Sequence, residues 1–336
     1  MATSDLDFLL VEYEQKRRDA EIDLEKRKKK LYEKYPRLEE IDEEINKISI
    51  NKTKSILINK LTDSLNTEFE NELMNLKQEK ENILKKENID ISFFKPKYEC
   101  EKCKDTGYIS YPDKKTQMCN CLKQKLINIS YNKSNLSNLQ KENFKNFNLN
   151  KFSDEINIEK YKMNISPRAN INAIKNASID FIQNFDNPDT KNLFFTGNTG
   201  LGKTYMTNCI ANELLKKGKT VLYQTAPVLL ETIIDNKFNK YKTANTNDFY
   251  NQVLGCDLLI IDDLGTECIN SMKLSELFTI LNARGLNLNN KITKTIISTN
   301  LSIEKVFSIY EERIGSRIAG FYDIYYFFGE DLRLMK

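Results

Sequence analysis

The sequence predicts an α/β fold: a parallel sheet with flanking helices toward the C-terminal side, preceded by a helical region and a small zinc-binding unit. Three observations lead there. Leu193, Phe194 and Phe195 form a short apolar run that enters a glycine-spaced loop and then a helical pattern. Leu258-Leu259-Ile260-Ile261 is a continuous apolar run, suited to burial on both faces of a parallel sheet, and it ends in Asp262-Asp263. Ahead of both, Ser4 to Asn88 is charged, free of glycine and patterned at helical spacing, and two close cysteine pairs follow it.

The chain has 336 residues, which suits roughly two domains of ~100–200 residues each. Its 51 Lys+Arg and 48 Asp+Glu residues nearly cancel, so any basic surface for nucleic acid must be local. Met1-Ala2-Thr3-Ser4-Asp5 has no basic segment before an apolar core, and no apolar run reaches the ~18 residues of a membrane span. A cytoplasmic protein without a membrane partner is expected. In a reducing compartment the 7 cysteines argue for metal ligands or buried thiols over disulfides. Histidine is absent, which leaves carboxylates, lysines and thiolates for any chemistry.

In the N-terminal region Leu38, Ile41, Ile45 and Ile48 form one stripe, and Leu61, Leu65, Phe69, Leu73 and Leu76 another. Such spacing predicts two or three long helices, broken at Pro36 because proline lacks the helical N–H donor. A hairpin or coiled coil packed on itself and a docking surface for a partner protein are equally compatible with it.

Cys100-x-x-Cys103 and Cys119-x-Cys121 come next, separated by a loop with Gly107, Tyr108, Tyr111 and Pro112. Two thiol pairs joined by a hairpin offer four thiolates, which suits tetrahedral Zn²⁺ in a closed structural site; an iron–sulfur cluster and redox thiols are the alternatives. Cys209, Cys256 and Cys268 stand singly and read as structural. Leu122 to about Leu136 reads as a polar helix. Phe144, Phe147 and Phe152 then form an aromatic cluster, either core or a wall beside a nucleotide base. A helix from Asn170 to Phe185 is expected before the glycine loop.

In that loop Gly197, Gly202, Lys203 and Thr204 fit the phosphate-loop pattern G-x-x-x-x-G-K-[ST], with Asn198, Thr199, Gly200 and Leu201 between them. The glycines let successive backbone N–H groups curl around a phosphate, and the following helix adds its positive end. Lys203 is placed to reach the β/γ-phosphates, and the Thr204 hydroxyl to ligate Mg²⁺.

Thr220 to Gln224 reads as a buried strand, and Val228 to Lys242 as a helix. Near the end of that helix Phe238 and Tyr241 alternate with Lys237, Lys240 and Lys242, either a stacking platform for single-stranded nucleic acid or a solvated helix end. Past the run Leu258–Ile261, Asp262 is expected to hold Mg²⁺ and Asp263 to polarise the attacking water, with Glu267 an alternative base. After a helix from Lys273 to Arg284, the strand Thr295 to Asn300 ends in a polar group that can hold the lytic water; Asn300 is the first choice and Thr299 the second. Arg313, Arg317 and Arg333 are candidates to stabilise phosphoryl charge, with a surface salt bridge expected to claim at least one.

The ordered set of phosphate loop, Leu-Leu-Ile-Ile-Asp-Asp-Leu-Gly, Ile-Ile-Ser-Thr-Asn and Glu-Arg-Ile-Gly-Ser-Arg resembles the AAA+ ATPases of the bacterial DnaC/DnaI-type replicative helicase loaders. Cys-Glu-Lys-Cys-Lys-Asp-Thr-Gly-Tyr looks like the zinc-binding part of the DnaI-like branch. The resemblance implies an ATPase that binds the hexameric replicative DNA helicase through its N-terminal region and delivers it to single-stranded DNA. It implies a nucleotide- or DNA-dependent homo-oligomer, with Arg317 as arginine finger on a neighbour's nucleotide and Arg333 as second sensor. ATP, Mg²⁺ and Zn²⁺ are the implied cofactors. The implied division is a helical helicase-interaction region 1–95, a zinc unit 96–135, a linker 136–155 and an ATPase domain 156–336. Asp263 stands where most AAA+ proteins carry glutamate, which bears on the rate of hydrolysis; little chain follows Arg333, so the helical lid of larger AAA+ proteins is expected to be largely absent and the ATP site open. An IstB-like transposition helper shares these ATPase motifs and is the alternative function. A small-molecule P-loop kinase would need an acceptor pocket and a lid that the sequence does not supply.

Overall fold

The computed structural model describes residues 5–58, 62–112, 115–130, 141–238, 246–286 and 291–334. The chain divides into two compact units, Met1–Cys119 and Asn120–Lys336.

The first unit holds three long helices, α1 (Asp5–Lys34), α2 (Pro36–Leu57) and α3 (Asp63–Lys86). Pro36 occupies the first turn of α2, where a missing N–H costs nothing, so the break falls at Tyr35. The Leu38/Ile41 stripe faces inward, both side chains fully buried, together with Leu9, Tyr13 and Leu84. The Arg37 guanidinium makes a two-pronged bond from α2 to Glu79 of α3, at 2.7 and 3.0 Å. Arg27 of α1 donates to the Phe93 and Lys95 carbonyls at 2.7 and 3.2 Å, which ties the segment after α3 back onto α1. An antiparallel hairpin, β1 (Tyr108–Ser110) and β2 (Thr116–Met118), ends the unit.

The second unit begins with α4 (Asn120–Ser130); the expected continuation of this helix to Leu136 lies outside the described residues. A short α5 (Ile158–Tyr161) and α6 (Pro167–Gln183) follow. α6 starts three residues earlier than expected because Ser166 caps it, accepting from the Ala169 N–H at 3.1 Å, with Pro167 at the first helical position. The remaining elements are β3 (Asn192–Gly197), α7 (Lys203–Lys216), β4 (Val221–Thr225), α8 (Ala226–Phe238), α9 (Thr246–Gly255), β5 (Leu258–Leu264), α10 (Ser271–Gly285), β6 (Lys294–Thr299), α11 (Ile303–Ile309), α12 (Glu311–Phe321) and β7 (Tyr322–Phe327).

The five strands form one parallel sheet in the order β4-β5-β6-β3-β7, so the expected α/β fold with a parallel sheet is the one found. Side chains alternate between its two faces. Leu193 and Phe195 join one core with α6 and α7, while Phe194 joins the other with α8, α10 and α12. Burial on both faces is why these strands read as unbroken apolar runs. The strand order has a functional consequence: β6 lies between β3 and β5, so its C-terminal end stands between the phosphate loop and the two aspartates.

Candidate active site

β3 ends at Gly197, and the loop turns into α7 through Gly202. Gly202 has φ 90°, a conformation open to glycine, and it is the residue that caps α7. At Gly197 a Cβ would lie 2.1 Å from the Phe327 carbonyl oxygen of β7, so neighbouring backbone also fixes the residue type. The loop residues Thr199 to Thr204 line a cavity of about 450 Å³ together with Asp263, Asn300 and Arg333. Asn198 contributes its backbone: its carbonyl accepts from the Lys203 ammonium at 2.7 Å.

Lys203 is buried, and its ammonium also donates to the Gly197 carbonyl at 2.6 Å and to Asn300 Oδ1 at 2.8 Å. Burial lowers its pKa to about 8, against the opposing pull of Asp263 and Asp262. Asp263 shifts upward because it is desolvated and sits beside the Asp262 charge; Lys203 and Arg333 partly offset this. Arg333 therefore bears electrostatically on both groups as well as lining the cavity.

Asp262 is buried and held on both oxygens. Ser298 of β6 donates to Oδ1, while the Tyr223 hydroxyl of β4 donates to Oδ2 and the Thr204 hydroxyl lies 3.3 Å from the same oxygen. A hydroxyl and a carboxylate oxygen this close, at the N-terminus of a helix, are a donor set that fits a hydrated Mg²⁺. A bulge separates the two aspartates in role. From Ile261 to Leu264 β5 takes three steps while β6 takes two, from Ile297 to Thr299. Asp263 absorbs the extra residue at φ 55° and faces the cavity.

The alternatives left open by sequence separate here. Glu267 is buried and accepts from the Gly265 N–H at 2.9 Å and from the Tyr310 hydroxyl; Asp263 lines the cavity and Glu267 does not. Thr299 is fully buried and donates to the Leu264 carbonyl at 2.5 Å, whereas Asn300 is exposed and lines the cavity. Arg313 pairs with Glu311 at 2.8 Å, the surface salt bridge expected of at least one of the three arginines. Arg317 stacks over the rings of Phe278 and Phe321, 5.7 and 5.6 Å from their centroids, and does not line the cavity of its own chain. Phe147 and Phe152 are stacked 6.1 Å apart, and Phe147 meets Tyr205 edge-on at 5.6 Å. Phe152 belongs to the core, and both rings line the cavity. Lys237 pairs with Glu276 at 2.6 Å and lies over the Tyr250 ring; Lys240, Tyr241 and Lys242 lie outside the described residues.

Tyr223, Ser298 and the cavity residues Glu142, Asn146, Lys151 and Leu332 have roles at the site that no local pattern marks. Tyr223 sits two residues short of Thr225, which pairs with Asp262, a relation set by sheet register.

The sulfurs of Cys100, Cys103, Cys119 and Cys121 lie within 4.8 Å of one another, with Cys100 and Cys119 3.9 Å apart. Tetrahedral Zn²⁺ with bonds of about 2.3 Å wants sulfurs about 3.8 Å apart, so the group fits that ion. The turn holding the first pair is fixed by Asp105, whose buried carboxylate accepts from the Glu99 and Cys100 N–H groups, both at 2.8 Å. The hairpin returns the chain so that the Cys119 N–H donates to the Gly107 carbonyl at 2.8 Å.

Among the described residues no helix is long and apolar enough to cross a membrane. A family model described as "IstB-like ATP binding protein" matches residues 116–314. The chromosomal replication initiator protein DnaA of Buchnera aphidicola subsp. Cinara cedri is 32% identical over 133 residues, 39% of this chain and 28% of that protein. DnaA of Wolinella succinogenes is 35% identical over 126 residues, 37% of this chain and 26% of that protein. The chain thus spans about a quarter of the length of these relatives. Among solved structures, a DnaC helicase loader is 24% identical, covering 51% of this chain and 96% of that one at a TM-score of 0.41.

Proposed function

This chain belongs to the family of IstB-like ATP-binding proteins, and from that premise we propose that it hydrolyses ATP to load the replicative DNA helicase onto single-stranded DNA. The observation that carries the loader reading is the pairing of an ATP site with a four-cysteine unit and a helical region ahead of it, residues 1–95, which we take as the helicase-binding part. The likeness to proteins named as replication initiators supports a role in replication.

In this reading the loop amides and the N-terminus of α7 hold the phosphates, and Lys203 leaves Asn300 to meet the β/γ-oxygens. Mg²⁺, when bound, neutralises phosphate charge, and Thr204 and Asp262 are the residues that would hold it. Asp263 accepts the proton of the attacking water, which Asn300, released by Lys203, orients against the γ-phosphate. Water attacks phosphorus, the bond to the bridging oxygen breaks, and ADP and phosphate leave. Arg333 supplies charge within the subunit, and Arg317 is presented to a neighbour's nucleotide in an assembly formed with nucleotide or DNA. Cys100, Cys103, Cys119 and Cys121 would hold Zn²⁺ as thiolates, in a structural role.

Pull-down with the purified replicative helicase tests the loader reading: binding through residues 1–95 is expected, and no binding with or without ATP overturns it. The family description favours a second reading, a transposition-helper ATPase, which predicts association with a transposase instead.

A further inference from the structure

Glu267 and Tyr310 belong to no step above, yet they form a buried polar pair. Glu267 sits in the loop after β5, the strand that carries Asp263 next to its last residue, and this loop lines the cavity through Thr266. Its two carboxylate oxygens accept from the Gly265 N–H and the Tyr310 hydroxyl, and among the described residues these hydrogen bonds are its compensation. Tyr310 is 1% exposed, closes α11 and precedes α12. Burial first, and then the Glu267 carboxylate, push its ionisation well above the usual range, so it stays a hydrogen-bond donor. The backbone is unusual at both ends of the link: Asp263 has φ 55° and Glu311, the first residue of α12, has φ 64°. Non-glycine residues in that region are strained and persist where their surroundings over-determine them. Arg317 lies seven residues after Tyr310, about two helical turns, on the helix that this corner aims.

We propose that the Glu267–Tyr310 hydrogen bond locks the α11–α12 corner to the loop after β5 and so sets where Arg317 is presented to a neighbouring subunit. Both are positioning residues acting through Arg317. The proposal rests on the reading of Arg317 as acting on a neighbour's nucleotide. A buried carboxylate held by a phenol is a costly way to fill a core, since an apolar pair of similar volume is often as stable, and directional aim is what it adds.

The test mixes two full-length variants under assembling conditions with DNA. Chains carrying Lys203→Ala have a dead ATP site but offer their arginine; chains carrying Arg317→Ala keep a site but offer none. ATP hydrolysis restored in the mixture reports arginine supplied between subunits. Adding Tyr310→Phe to the Lys203→Ala chain is expected to cut the restored rate at least tenfold, whereas adding it to the Arg317→Ala chain leaves that rate within about twofold. Equal loss in both placements, as general destabilisation would give, overturns the proposal, and so does no loss in either. If the starting mixture shows no restoration, the reading of Arg317 fails first and the proposal falls with it.

Discussion

The Lys203 ammonium donates to Asn300 Oδ1 at 2.8 Å, so the cation suited to phosphate and the amide suited to the lytic water are engaged with each other. Each must let go of the other for ATP chemistry to begin. Asn300→Ala is therefore expected to leave ATP affinity unchanged or slightly higher, because Lys203 loses a competing acceptor. Turnover should fall about 10²-fold through a misplaced water. Titration with a fluorescent ATP analogue beside a phosphate-release assay separates the two effects.

The pH dependence of ATP binding follows from Lys203, whose pKa is lowered to about 8 by burial. Below that pH the ammonium is already charged, so affinity should be flat. Above it, binding must take up a proton, and affinity should fall about tenfold per pH unit. Affinity measured at pH 7, 8 and 9 in a non-hydrolysable analogue checks this; Lys203→Arg should flatten the curve, since guanidinium stays charged throughout.

Phe147 and Phe152 line the same cavity but sit differently in the fold. Phe152 is 6% exposed within the core, while Phe147 is half-buried at the cavity wall. Phe147→Ala should weaken ATP by roughly tenfold, in line with about 1–3 kcal/mol for stacking on a base. Phe152→Ala should instead lower thermal stability by about 3–5 kcal/mol, the usual cost of truncating a buried phenylalanine. Isothermal titration and thermal unfolding of both variants distinguish the two roles.

Removing both Cys100 and Cys103 as serines should abolish binding of about one zinc per chain, measured by elemental analysis of the purified protein. Asp105→Ala, which frees two backbone N–H groups of the turn, should weaken zinc about 10–100-fold against a chelator, as loss of an outer-shell partner does. A folded protein that carries no zinc would refute the assignment.

Arg284 is 2% exposed and bonds the carbonyls of Val253, Cys256 and Lys294 and the Thr295 hydroxyl, stapling α9, α10 and the start of β6. Arg284→Met keeps the length and strands these acceptors. A loss of about 3–5 kcal/mol of stability is expected by chemical denaturation, with ATP affinity unchanged in the fraction that folds.

How much of this was legible before the structure depends on distance along the chain. The phosphate loop, the apolar run into Asp262-Asp263, the proline break at Pro36 and the cysteine spacing are local patterns, and each was readable. Element ends slipped by a few residues, as at α6, where the cap at Ser166 rather than the apolar pattern sets the start. The choices between Asn300 and Thr299, and between Asp263 and Glu267, were not readable. Both members of each pair lie within a few residues of one strand's C-terminal end, and only burial and hydrogen bonding to a remote partner separate them.

Local patterns are enough to establish an α/β nucleotide-binding chain with a thiolate unit, because backbone conformation and apolar periodicity are written in neighbouring residues. The tertiary structure decided what meets at the site. Inserting β6 between β3 and β5 brings Asn300 to Lys203, sheet register brings Tyr223 and Ser298 to Asp262, and a one-residue bulge turns Asp263 toward the cavity. These relations come from strand order and packing between residues from about forty to a hundred positions apart, which no local pattern encodes.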